Sequence, residues 1–169
     1  LSAARRRMFA PPPTTMKTTV EHKSPDGRTE LGGPSADSLR VLIVDDNADA
    51  AESLALLFAL DGHQARVALS GLEACRVAAS FAPQLVLLDL LLPDLDGYEV
   101  ARRLRAQPAT ANTMLVAMTG YGDVDAQERA AAAGCDAHFL KPFEPDQLSR
   151  LAARALERIK WAAVFSSRS

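Results

Sequence analysis

Asp45 and Asp46 follow the apolar run VLIV, Asp89 follows LVLL, Thr119 follows MLVAM and Lys141 follows AHFL. In a parallel sheet, all strands end along the same edge, so these distant residues would meet in one cleft. Three carboxylates held close together repel one another, and some must be protonated or bind a cation. Oxygen-only ligands suit Mg2+ or Mn2+ rather than zinc. Asp89 heads the third apolar run and would project into the middle of the cleft. There a carboxylate can attack a phosphoryl group to give an acyl phosphate. The metal and Lys141 would neutralise charge on the transferring oxygens, and Thr119 could hydrogen-bond the attached group. No positioned histidine is at hand to strip a proton from an attacking alcohol. The nucleophile therefore belongs to the protein, and the product is a modified protein, which points to a switch.

The elements that must position these groups are legible in the same runs. Val41–Val44, Leu85–Leu88 and Met114–Met118 are continuously apolar, as strands covered on both faces are. Ala65–Leu69 and Ala137–Leu140 are interrupted by Arg66 and His138, which suits edge strands. Helical patterns lie between them. One runs from Asp49 to Leu60 with Leu54, Leu57 and Phe58 inward, and one is opened by a Ser70–Glu73 capping box. A third spans Gly97 to Ala106, a fourth precedes Gly134, and the last carries the stripe Leu148, Leu151, Ala152, Ala155 and Ile159. Five alternating strand–helix units imply an α/β fold, a five-stranded parallel sheet doubly wound by helices. With the weak strands at the edges the order is 2-1-3-4-5. The chain then reverses between the first and third strands, and a crevice opens there between Asp45/Asp46 and Asp89.

Residues 1–38 differ. They hold five of the ten prolines and six Lys or Arg against four Asp or Glu, a net +2, leaving −4 for the rest. The expectation is a disordered tail or interdomain linker, then a folded domain over 39–160 and a C-terminal tail over 161–169. Arg5, Arg6 and Arg7 could meet an acidic partner. The chain begins with Leu rather than Met, as a processed or partial chain would. A net charge of −2 gives no basic field for nucleic acid. No apolar run reaches the roughly 18–20 residues that cross a bilayer, so no membrane insertion is expected. Cys75 and Cys135 match no metal or disulfide spacing, and the reading is cytoplasmic.

VLIVDDN at 41–47, LVLLDLLLPDLDGYEV at 85–100, MTGYG at 118–122 and HFLKPF at 138–143 together resemble the receiver domains of two-component response regulators, over roughly Leu39 to Arg158. The resemblance implies a flavodoxin-like receiver over 39–160, with Asp89 the phosphoacceptor. The donor would be phosphohistidine on a histidine kinase or a histidine phosphotransfer protein, and an unknown downstream protein would read the result. It implies that Asp46 and Asp89 bind Mg2+ directly, with the backbone carbonyl of Leu91 as a third ligand and Asp45 acting through water. Thr119 and Lys141 would engage the phosphoryl oxygens, and the Lys141–Pro142 peptide would be cis. His138 stands where the family usually has Tyr or Phe, which resembles receivers attached to hybrid sensor kinases; it also reads as an edge-strand histidine with no signalling role. Leu91 and Tyr121 resemble positions that tune hydrolysis of the aspartyl phosphate. With no output domain after the last helix, the expectation is a stand-alone receiver or the terminal receiver of a hybrid kinase.

Two rival readings fit the residues less well. A Mg2+-dependent aspartyl-phosphate phosphohydrolase needs a second carboxylate two residues after the nucleophile, where Leu91 stands. A flavodoxin-like cofactor binder needs a phosphate loop after the first strand, where DDNADA would repel phosphate. Plainer roles fit several other residues. Asp94 and Asp96 read as turn and cap residues, and Arg102, Arg103 and Arg105 as a solvated face. Met114 and Met118 read as core, and Trp161 and Phe165 as packing on the last helix in preference to a partner contact.

Overall fold

Every apolar run becomes a parallel strand in the computed structural model, which describes residues 37–120 and 124–166. The elements are β1 (Arg40–Val44), α1 (Ala48–Leu60), β2 (Gln64–Ala68), α2 (Gly71–Phe81), β3 (Leu85–Asp89), α3 (Gly97–Ala106), β4 (Met114–Thr119), α4 (Val124–Ala132), β5 (Ala137–Leu140) and α5 (Pro145–Ser166). The sheet order is β2-β1-β3-β4-β5. β1 pairs with β3 from Val41↔Leu85, and β3 with β4 from Leu85↔Met114. Residues 1–36 of the expected tail over 1–38, with the Arg5–Arg7 run, Tyr121, the Phe165 side chain and residues 167–169 of the expected C-terminal tail lie outside the described residues.

Side chains alternate across the sheet with the two-residue strand period. Leu42, Val44, Val86, Leu88, Leu115 and Ala117 face α2, α3 and α4. Val41, Ile43, Leu85, Leu87, Val116 and Met118 face α1 and α5. Each fully buried aliphatic side chain contributes roughly 1.5–3 kcal/mol, so burying the three central strands on both faces holds their ends in fixed register. The edge strands β2 and β5 are only partly buried.

Several local expectations are corrected. Leu57 is 38% exposed, while Ala51, Leu54 and Phe58 form the buried face of α1. At 100° per residue Leu57 lies well round from the centre of that stripe. Ser70 caps α2 by accepting from the Glu73 N–H, but Glu73 accepts from Leu69 rather than closing the box on Ser70. Arg105 is not solvated; it donates to the carbonyls of Gly134, Ala111 and Thr113 and to Asp136. α5 does not stop at 160 but continues to Ser166, because no Gly or Pro interrupts it. Trp161 is consequently 65% exposed instead of packed inward. At the other end the fold starts slightly before 39: Asp37 pairs with Lys160, and Ser38 donates to the Gly62 carbonyl.

Candidate functional site

The carboxyl ends of β1, β3, β4 and β5 deliver the expected groups, two from β1 and one from each of the others. Asp45 is the first residue past β1, where its N–H donates to the Ala68 carbonyl at 3.1 Å. Its side chain is 1% exposed. Asp45 Oδ1 accepts from the Asn47 N–H at 2.9 Å. Asn47 in turn caps α1, accepting from the Ala50 N–H, so the acidic turn is held by the helix it opens. Asp46 is exposed at the rim.

Asp89 is the last residue of β3 itself, not the first beyond it, and the residue is 7% exposed. Its two oxygens have different partners. Oδ1 accepts from the Leu91 N–H at 2.9 Å. Oδ2 accepts from Lys141 Nζ at 2.6 Å. The same Nζ donates to Asp45 Oδ2 at 2.5 Å. Lys141 thus reaches from the end of β5 to β1 and β3. Its own N–H is fixed to the Thr119 carbonyl at 2.8 Å, and the Lys141–Pro142 peptide is cis. Thr119, buried, ends β4.

Burial by itself would depress the Lys141 pKa and is the largest single influence on it. Hydrogen bonds and charge from Asp45 and Asp89 outweigh that, and the ammonium ends above its ordinary value. One ammonium still leaves the pocket short of positive charge. Asp45, Asp46 and Asp89 offer oxygens within 4.8 Å of one another, and taking two of these charges out of water is costly without a counter-ion. The donors are hard oxygens, so the set fits a divalent cation such as Mg2+ better than a soft metal.

Beside the carboxylates a cleft of about 520 Å³ is lined by Leu91, Leu95, Tyr98, Thr119 and Arg129, among others. Arg129 stacks on the Tyr98 ring at 4.3 Å. Leu91 is 67% exposed on the rim. His138 is half-buried opposite Ala117, and its Nε2 is out of solvent with no hydrogen-bond partner among the described residues. Asp96 caps α3 as expected. Asp94 does something the sequence did not suggest, receiving the N–H groups of Gly71 and Leu72 at the start of α2. No local signal links residues so far apart. Asn47, by contrast, was findable, since an Asn directly before a helical pattern is an N-cap signal.

Comparison with known proteins gives one consistent answer. A family model described as response regulator receiver domain matches residues 41–153. Sporulation initiation phosphotransferase F of Bacillus subtilis is 34% identical over 109 residues, covering 64% of this chain and 86% of that protein. The DNA-binding dual master transcriptional regulator RpaA of Synechocystis is 31% identical over 130 residues, 75% of this chain. The chain spans about half of that regulator's length, 54%. Among solved structures, the receiver domain of the Pseudomonas aeruginosa sensor histidine kinase PA1611, which holds a magnesium ion in its active-site cleft, aligns with a TM-score of 0.66. It is 27% identical, over 71% of this chain and 98% of that one.

Proposed function

The chain belongs to the response regulator receiver family, a family of phosphoacceptor signalling switches, and from that premise we propose that Asp89 is its phosphoacceptor. The observation that carries the assignment is the shared Lys141 ammonium, 2.6 Å from Asp89 and 2.5 Å from Asp45, beside a third carboxylate. Among the three acids, Asp89 alone ends a strand at the centre of the sheet. An Asp89 oxygen attacks phosphorus, a P–O bond forms, and the P–N bond to the donor histidine breaks. The donor is a histidine kinase or a histidine phosphotransfer protein. Lys141 balances charge on the transferring oxygens, and the Thr119 hydroxyl receives the group once attached.

Asp46 and Asp89, the Leu91 carbonyl and, through water, Asp45 would hold Mg2+; Mn2+ would satisfy the same oxygens. When bound, the ion supplies positive charge that offsets the phosphoryl oxygens. Turnover of an external phosphate ester is disfavoured, because exposed Leu91 stands where a second acid would be needed. The chain changes its own state and thereby its choice of downstream partner. A cytoplasmic location belongs to the same reading; no helix among the described residues is long and apolar enough to cross a membrane.

The assay is phosphoryl uptake from acetyl phosphate with Mg2+, read by intact mass. Wild-type protein should gain one phosphoryl group and Asp89→Asn none. Equal uptake by Asp89→Asn would remove the assignment.

A further inference from the structure

Residues 90–96 carry the Leu91 carbonyl, so the course of this loop sets where that oxygen lies. The loop is tied down at both ends. At its start the Leu91 N–H donates to Asp89 Oδ1 at 2.9 Å. At its end Asp96 caps α3, and Gly97 lies directly under the strand end. A Cβ at Gly97 would stand 2.5 Å from Leu90 Cα and 2.6 Å from the Asp89 carbonyl oxygen.

The middle is held from outside. Asp94 Oδ1 accepts from the Gly71 N–H at 2.8 Å, and Oδ2 accepts from the Leu72 N–H at 2.9 Å. Those amides belong to the first turn of α2 and have no partner within that helix. Ser70, the α2 cap, is occupied with the Glu73 N–H. A carboxylate from another loop therefore completes the cap. The two elements also touch closely, since a Cβ at Gly71 would stand 2.7 Å from Val100 Cγ2 and 2.9 Å from Leu95 Cβ. Leu92 and Leu95 pack on the core. Asp94 provides the side-chain hydrogen bonds that bind 92–95 to another element among the described residues.

We propose that Asp94 is a positioning residue for the metal pocket, clamping the 90–96 loop to α2 and so fixing the backbone that carries the Leu91 carbonyl. The clamp rests on the reading of Leu91 as a metal ligand. Groups that orient metal ligands from outside the coordination sphere commonly change affinity by about 10–100-fold when removed; this one acts on a single carbonyl, so about tenfold is expected.

The test is Mg2+ titration by calorimetry, together with amide hydrogen exchange, on the whole chain. Asp94→Ala should weaken Mg2+ binding about tenfold and speed exchange across Leu91–Leu95. Asp94→Asn, which keeps one acceptor, should fall between it and wild type. Ser70→Ala removes the other cap of α2 without touching the loop. It should lower the melting temperature yet leave Mg2+ affinity unchanged. Unaltered Mg2+ affinity in Asp94→Ala, or an equal loss in Ser70→Ala, overturns the clamp while wild-type binding leaves the parent reading intact. A wild-type chain that binds no Mg2+ would overturn both.

Discussion

Asp46→Asn should make the metal-free protein more stable and the Mg2+-loaded protein less stable than wild type. Asp46 is exposed, and its carboxylate can lie within 4.8 Å of both Asp45 and Asp89. Each such pair repels by about 0.9 kcal/mol in a water-like dielectric and by more where water is excluded. The Lys141 charge offsets part of this, and the net relief on removing the Asp46 charge is about 1 kcal/mol. With Mg2+ at a hundredfold its dissociation constant, wild type gains about 2.7 kcal/mol. On the proposed ligand set the variant lacks a direct ligand and loses most of that gain. The assay is urea unfolding in EDTA and across a Mg2+ series, with slopes compared to confirm two-state behaviour. The two stability curves should cross as Mg2+ rises. Lower stability of the variant in EDTA, or parallel Mg2+ curves, would refute the reasoning.

Lys141→Met leaves Asp45 and Asp89 buried without their cation and should cost about 3 kcal/mol in the metal-free state. Because the Lys141 pKa is raised on folding, its contribution is fully present below the unfolded value near 10.4 and is lost as pH rises through the folded one. The gap between wild type and variant in urea melts should therefore narrow only at strongly alkaline pH. Asp136 works on the acid side. Burial pushes its pKa up, but the Arg158 and Leu115 hydrogen bonds and Arg105 outweigh burial and hold it below the ordinary value. Its stabilisation is complete above pH ~3.9 and fades as pH falls through the folded pKa, so Asp136→Asn should destabilise at pH 7 by about 2 kcal/mol and converge with wild type in acid. Ala82 closes α2 with φ of 46°. Ala82→Gly should raise stability by about 1 kcal/mol, read as a higher urea midpoint.

The central sheet and the pocket were legible because both depend on one-dimensional patterns. β1, β3 and β4 are apolar without interruption, since both faces are covered, and a polar residue directly after such a run can only sit at the strand end. That rule places Asp45, Asp89 and Thr119, while Lys141 follows the interrupted edge run AHFL and is placed by strand–helix alternation; the structure brings all four to one sheet edge. What escaped depends on contacts between distant segments. Arg105 looks like any helix-face arginine until the turn at Gly134 offers its carbonyl. Asp94 looks like a turn residue until α2 presents two unpaired amides. Trp161 lies beyond the last apolar stripe, where the pattern leaves packing and a partner contact both open; α5 runs on to Ser166 and leaves the indole 65% exposed. Leu57 shows the limit of apolar periodicity: an apolar residue on the flank of a stripe can remain in solvent.

The most direct measurement is chemical location of the phosphoryl group. Protein incubated with acetyl phosphate and Mg2+ is reduced with borohydride, which converts an aspartyl phosphate to homoserine, and the peptides are sequenced by mass spectrometry. The account predicts homoserine at position 89 and none when Mg2+ is chelated. Homoserine at 45 or 46, or a stable phosphate on a hydroxyl instead, would contradict it.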